Sequence, residues 1–189
     1  VVRAQAHGQG QGQGESKCMF CQIIGGSLET VKIYEDSEII AVLDIYPAAL
    51  GHMIVMPKEH YEKIEEIPNS LLNKLLGFVK AILPVFLKVT GAKGVNIFMA
   101  QGDEAGQRVK HVCINLIPRY SKDKINFEWQ KMKVEKKEIE KLGEKLRKEA
   151  EKSVREKLEV ESEEAEKKRK AADEGEVEKI LKHTKRRVP

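Results

Sequence analysis

The chain has 189 residues, enough for one domain of ordinary size with appendages and too few for two large cores. Apolar residues make up 41%, aromatics 5% and charged residues 34%, above the rough quarter usual in a globular domain, so part of the chain lies outside any core. Basic and acidic side chains number 14 each over residues 1–130 and 20 against 16 over 131–189, so the net +4 belongs to the C-terminal part; a diffuse excess of this size is a weak argument for nucleic acid.

The run Gly8-Gln9-Gly10-Gln11-Gly12-Gln13-Gly14 has no side chain able to pack, which predicts a disordered leader over 1–16. Cys18-Met19-Phe20-Cys21 opens the folded part. Val31, Ile33, Ile39, Ala41, Leu43 and Ile45 form two short apolar runs around Glu35-Asp36-Ser37, the pattern of a hairpin. Met53-Ile54-Val55-Met56, ended by Pro57, reads as a buried strand. Pro68-Asn69-Ser70 offers an N-cap, and Leu71, Leu75, Val79, Ile82 and Phe86 recur at helical spacing. The spacing predicts a core helix from about 69 to 90, bent or broken at Pro84.

Val95 to Met99 reads as a strand leading to a loop at Gln101–Gln107. Lys110 to Ile117 reads as another strand, stopped by Pro118, with His111, Cys113 and Asn115 on one face. Strands outnumber helices without regular βαβ alternation. The expected class is therefore α+β: an antiparallel sheet of about five strands with a core helix, within a domain over 17–130.

From about residue 131 Lys and Glu dominate. Ile139, Leu142, Leu146, Ala150, Val154 and Leu158 lie three or four apart, predicting a long amphipathic helix interrupted near Gly175. Lys167–Lys170 and Lys182–Arg187 are basic clusters. The tail, 131–189, reads either as a solvated helical or partly disordered segment, or as a coiled-coil or RNA- or protein-contacting extension. Three cysteines, an odd count, make no disulfide framework and point to a reducing compartment. The N-terminus shows no apolar signal-like core, and no stretch approaches about eighteen apolar residues. The expectation is a soluble, cytoplasmic protein without a membrane partner.

Several short motifs occur in order: Cys18-Met19-Phe20-Cys21, Tyr34-Glu35-Asp36, Leu43-Asp44-Ile45, Gly51-His52, Pro57-Lys58-Glu59-His60, Gly94-Val95-Asn96, Ala105-Gly106-Gln107, His111-Val112-Cys113-Ile114-Asn115 and Ile117-Pro118-Arg119. At these residues the sequence resembles the histidine triad (HIT) family across roughly 17–129. The resemblance implies the HIT fold, a homodimer pairing core helices and edge strands, and a nucleotide or nucleotide-like phosphate ligand, a purine nucleotide being the leading choice. The family's three histidines alternate along one strand, so they share a face and converge on one phosphate. The middle one attacks phosphorus and the third helps hold the phosphate. Those positions here are His111, Cys113 and Asn115.

A neutral imidazole attacks phosphorus well and leaves well as a cation, whereas a thiol must first ionise and an amide supplies hydrogen bonds without charge. The expected function is a catalytically impaired nucleotide-binding domain. The alternatives are an active nucleotidyl hydrolase or transferase, acting on a nucleoside phosphoramidate or dinucleoside polyphosphate through Cys113, and an interaction or RNA-associated module working through the tail. Cys113, Asn115 and His52 are the catalytic-position candidates. The resemblance implies Asp44 for the ribose, Ile45 for the base, and Asn96, Gln101, Gly106, Gln107, Arg108 and Asn115 around the nucleotide. The loop that reads Asn-x-Gly in much of the family is Ala100-Gln101-Gly102 here, and Arg108 stands where a hydroxyl usually follows Ala-Gly-Gln. The Cys-x-x-Cys pair can chelate one zinc from a tight turn, and two further ligands would close a tetrahedral site. In the zinc-bearing branch of the family these correspond to His60 and His111, so Cys18, Cys21, His60 and His111 are the expected set for a structural zinc.

Overall fold

A computed structural model describes residues 18–155 and residue 162. The chain divides into one unit ending at Phe127 and another beginning at Glu128. The expected leader, Leu158, Gly175 and both basic clusters lie outside the described residues.

In the first unit, β1 (Lys32–Glu35), β2 (Ile39–Leu43), β3 (Met53–Pro57), β4 (Gly94–Phe98) and β5 (Ile114–Arg119) form one antiparallel sheet in the order β1-β2-β3-β5-β4. A short helix, α1 (Met19–Ile24), covers one face and a long one, α2 (Asn69–Thr90), the other. Alternation along β2 and β3 sorts the core into two. Ile39, Ala41, Met53 and Val55 pack on Leu71, Leu75, Val79 and Phe86 of α2, while Ile40, Val42, Ile54 and Met56 pack on Phe20 and Ile23 of α1. Burial on both faces is why β3 is apolar throughout instead of alternating.

The β1–β2 turn is organised by Asp36. Its Oδ1 accepts the N–H groups of Glu38 and Ile39 at 2.8 and 2.9 Å, and its Oδ2 meets Lys74 of α2 at 2.9 Å. Four local expectations are corrected. Asn69 and Ser70 do not cap α2; its N-cap is Pro68, with no side-chain capping bond. Pro84 does not end α2, which runs unbroken to Thr90 and closes on Gly91 in the left-handed region at φ 68°. Pro84 lies on the exposed side, where water can replace the lost helical partner of the Lys80 carbonyl. By length and composition α2 could cross a membrane, but its inward residues form the main core.

Pro118 does not stop β5 either; it sits inside the strand opposite Val95. The Arg119 carbonyl accepts from Lys93 on the β4 side, so the missing N–H of Pro118 falls on the opposite side. There the β3 partner extends no further than its first residue, Met53, opposite Leu116, and no ladder bond is lost. Conversely, β5 begins only at Ile114, later than expected. The segment before it is extended without a ladder, held by Val112 N–H to the Tyr61 carbonyl at 2.7 Å. Alternation persists there: Val112 enters the α2 core and Cys113 packs on the α1 side.

In the second unit a helix spans 136–155, and Ile139, Leu142, Leu146 and Val154 on it are all more than half exposed.

Glu38 and Ile39 N–H groups, with Lys74 and Tyr34 assisting against some desolvation, hold the Asp36 carboxyl well below the usual carboxylate range. A depressed folded-state value contributes stability above the unfolded value of about 4 that is lost as pH falls through the folded value. Thermal melts between pH 5 and 2.5 are expected to show a flatter acid-side loss for Asp36→Asn than for the parent chain.

Candidate functional site

Two polar constellations flank the segment 108–115. The first gathers Cys18, the N-cap of α1, Cys21 in its first turn, His60 just after β3, and His111 in the lead-in to β5. Their ligand atoms all lie within 4.8 Å of one another. Cys18 Sγ is 3.7 Å from His111 Nδ1, Cys21 Sγ is 3.6 Å from the same nitrogen, and Cys21 Sγ is 3.2 Å from His60 Nδ1. Tetrahedral zinc with sulfur at about 2.3 Å and nitrogen at about 2.0–2.1 Å requires sulfur–nitrogen edges of about 3.6 Å. The donor set and its spacing fit such an ion.

The surroundings prepare the ligands. His111 Nε2–H donates to the Pro57 carbonyl at 3.0 Å, which leaves the Nδ1 lone pair facing the sulfurs. Burial, aided by neighbouring His60 and opposed by the Pro57 carbonyl, lowers the His111 pKa, so its ring is the neutral, ligating form at neutral pH. Burial raises the Cys18 thiol, opposed by the Cys21 and Phe20 N–H groups and reinforced by the Cys21 thiol; a divalent cation reverses the rise by favouring thiolate. Phe20 packs edge-on against the His111 ring at 5.9 Å.

The second constellation is a chain of side chains across the sheet face. Asn115 lies opposite Ile54, on the face that Cys113 shares. His52 is buried, with Nε2 at 3.1 Å from Asn115 Oδ1 and Nδ1 at 3.2 Å from Asp44 Oδ2. Asn115 Nδ2–H donates to Cys113 Sγ at 3.7 Å. Burial pushes the Cys113 thiol up to about 11; the Asn115 hydrogen bond opposes this and the Asp44 carboxylate adds to it. At neutral pH the position therefore holds a thiol, and its neighbour is an amide, which takes no proton from it.

The structure brings Asp44, His52, Cys113 and Asn115 together, with Ile45 exposed beside them. Other expected nucleotide contacts are otherwise engaged. Gln101 accepts from Ile64 N–H at 2.8 Å and donates to Glu65 at 2.9 Å. Gln107 accepts from Gly102 N–H at 2.7 Å and donates to the Glu62 carbonyl at 3.0 Å. These two amides fasten the 99–107 loop to the segment 62–65, and Gly106 supplies its left-handed corner at φ 82°. Asn96 Oδ1 accepts from Arg119 at 2.6 Å, in a knot that includes Asp123 and the Ile125 carbonyl. Asp44 spends Oδ1 on Tyr46 N–H at 2.9 Å, the turn role that a residue at this position can equally play.

Arg108 is placed elsewhere than expected. It lines an open groove of about 700 Å³ over the cysteine–histidine cluster, with Cys18, Met19, Cys21, His60, Glu62, Val109 and Lys110. Neither this groove nor the Pro57 carbonyl has a signal in the sequence. The Pro-Lys-x-His spacing signals a ligand at His60 and says nothing of which carbonyl will face His111.

The HIT domain matches residues 26–122, slightly more than half of the chain and none of the Cys-x-x-Cys pair. A HIT-like protein of Methanocaldococcus jannaschii is 43% identical over 106 residues, 56% of this chain and 81% of that one. An adenosine 5′-monophosphoramidase of Schizosaccharomyces pombe is 32% identical over 130 residues, 68% of this chain and 95% of the enzyme. Among solved structures, a zinc-bound histidine triad family protein from Mycobacterium smegmatis superposes with a TM-score of 0.55 at 30% identity, covering 61% of this chain and 84% of that one. With the five-stranded sheet, its two helical faces and these relatives in view, the chain belongs to the HIT family.

Proposed function

We propose that this chain is a zinc-stabilised HIT domain that binds a purine nucleotide or nucleotide-like phosphate ligand without nucleotidyl transfer. One observation carries the reading: His52 is bonded to Asn115 with Asp44 at 3.2 Å, while the central triad position holds a half-buried thiol whose hydrogen bond comes from an amide. Hydrogen-bond donors for a phosphate persist, but the position of attack has no imidazole, and the group bonded to its thiol is an amide that accepts no proton. The phosphoramidase activity named for the fission-yeast relative makes an adenosine phosphate the first ligand to test. Calorimetry with AMP and GMP is expected to show binding that Asp44→Ala weakens by about tenfold, or about 1.4 kcal/mol. Adenosine phosphoramidate is expected to stay intact with the parent chain. Restoring imidazoles in Cys113→His/Asn115→His is expected to raise hydrolysis by about 100-fold or more. Parent turnover that disappears in Cys113→Ser would overturn the impaired reading in favour of a cysteine nucleophile.

The zinc reading is supported by the ligand spacing and by the zinc-bound mycobacterial relative. Metal analysis is expected to give about one zinc per chain. Cys18→Ser/Cys21→Ser is expected to lose it and to melt several degrees lower, because metal binding here is folding free energy. Metal retained in that double variant sinks the assignment. A reducing, cytoplasmic setting fits thiol ligands.

The proposal includes a homodimer. The side of α2 away from the sheet exposes Leu76, Val85 and Val89, and edge strand β4 with the following residue exposes Ile97, Phe98 and Met99, a surface that a second copy would cover. Val85→Glu/Val89→Glu is expected to shift sedimentation from dimer to monomer; an unchanged dimer would place the interface elsewhere. Residues 17–130 are taken as the binding unit, with 1–16 as a leader and 131–189 as a separate tail.

A further inference from the structure

The two sulfurs of the metal set line the open groove, so small solutes reach them from solvent. Cys18 and Cys21 stand one helical turn apart, with Gln22 N–H bonded to the Cys18 carbonyl at 3.1 Å. Helix geometry puts residues so spaced about 5 Å apart between Cα atoms, inside the range a disulfide spans. Arg108 and Lys110 border the same groove and face one carboxylate, Glu62, which leaves a positive rim. Neither cysteine is in a disulfide.

We propose that Cys18 and Cys21 form a thiol-redox site, converted by small anionic disulfides into an intramolecular disulfide with release of the bound zinc. The inference rests on the zinc reading above. One cysteine sulfur attacks the external disulfide, forming a mixed disulfide and expelling one thiolate. The second cysteine sulfur then attacks the protein sulfur of that mixed disulfide and expels the other thiolate. Two electrons pass from the cysteine pair to the external disulfide. The ion, left with His60 and His111 alone, dissociates. Arg108 and Lys110 raise the local concentration of an anionic oxidant over the sulfurs.

The test uses the full-length, zinc-loaded chain with glutathione disulfide, reading zinc with a chromophoric chelator alongside thiol count, intact mass and peptide mapping. The expected result is zinc release in step with loss of two hydrogens in mass. The thiol count should fall from three to one, with the disulfide mapped to Cys18–Cys21 and Cys113 still reduced. Reduction with dithiothreitol then restores zinc uptake. Zinc retained through exposure to the oxidant, or a stable adduct at Cys113 with the pair still reduced, overturns the redox site while leaving the zinc reading standing. A chain that takes up no zinc at the outset overturns both, and shows it before any oxidant is added. Arg108→Glu/Lys110→Glu is expected to slow release by glutathione disulfide roughly tenfold while changing release by neutral hydroxyethyl disulfide less than about twofold. Equal slowing with both oxidants removes the cationic rim from the mechanism.

Discussion

The His111 imidazole is the constraint on which the rest of this domain depends. It is 1% exposed, with one nitrogen bonded to the Pro57 carbonyl at the end of β3 and the other aimed at two sulfurs on α1. A buried imidazole with one nitrogen unpaired would cost about 1–3 kcal/mol, so both ends must be met. Meeting them fixes three chain segments at once: the start of α1, the exit of β3 and the lead-in to β5. The Tyr61 carbonyl to Val112 N–H bond ties the last two a second time. Because α1 is only six residues long, it does not hold itself on the sheet by helix propensity. Its position rests on Phe20 and Ile23 and on the cysteines beside them, which together cover the face carrying Ile40, Val42, Ile54 and Met56.

That arrangement separates the roles of the three triad positions. His111 belongs to the cysteine–histidine cluster, whereas Cys113 and Asn115, alternating along the same extended segment, belong to the face that holds Asp44 and His52. Neither Cys113 nor Asn115 is among the groups hydrogen-bonded to His111. The groove over the cysteines and the Asp44 side of the sheet receive different residues from one short stretch, Arg108 and Lys110 on one side and Asn115 on the other.

Much of this was legible in the sequence, for reasons that differ by feature. The apolar run of β3 and the helical spacing of Leu71, Leu75, Val79 and Phe86 are burial patterns, and burial follows from side-chain chemistry with few alternatives. The four metal-type ligands were legible because their residue types are rare and their motifs fixed. Gln101, Gln107 and Asn96 were legible only as polar groups in a loop or strand. An amide bonds equally well to a nucleotide or to a passing backbone, and the path of the 99–107 loop, set by tertiary packing, decides between them. Pro118 misled for a related reason. Proline breaks a ladder only where a partner strand is waiting for its N–H, and which side β3 has left is a property of the sheet order.

The same reasoning explains why a thiol and an amide sit comfortably at the two altered positions. An imidazole at position 113 would bring two polar nitrogens into a site packed against the apolar residues beside α1. With no phosphate bound it would need partners for both, or bear the cost of leaving one unmet. A thiol is small, tolerates apolar neighbours and requires no strong hydrogen bond. Asn115 in turn satisfies His52 on one side and offers an N–H to Cys113 on the other. No buried side-chain nitrogen or oxygen among the described residues is left without a partner. Asp44, His52, Cys113 and Asn115 are thus each held by bonds to one another or to the neighbouring backbone.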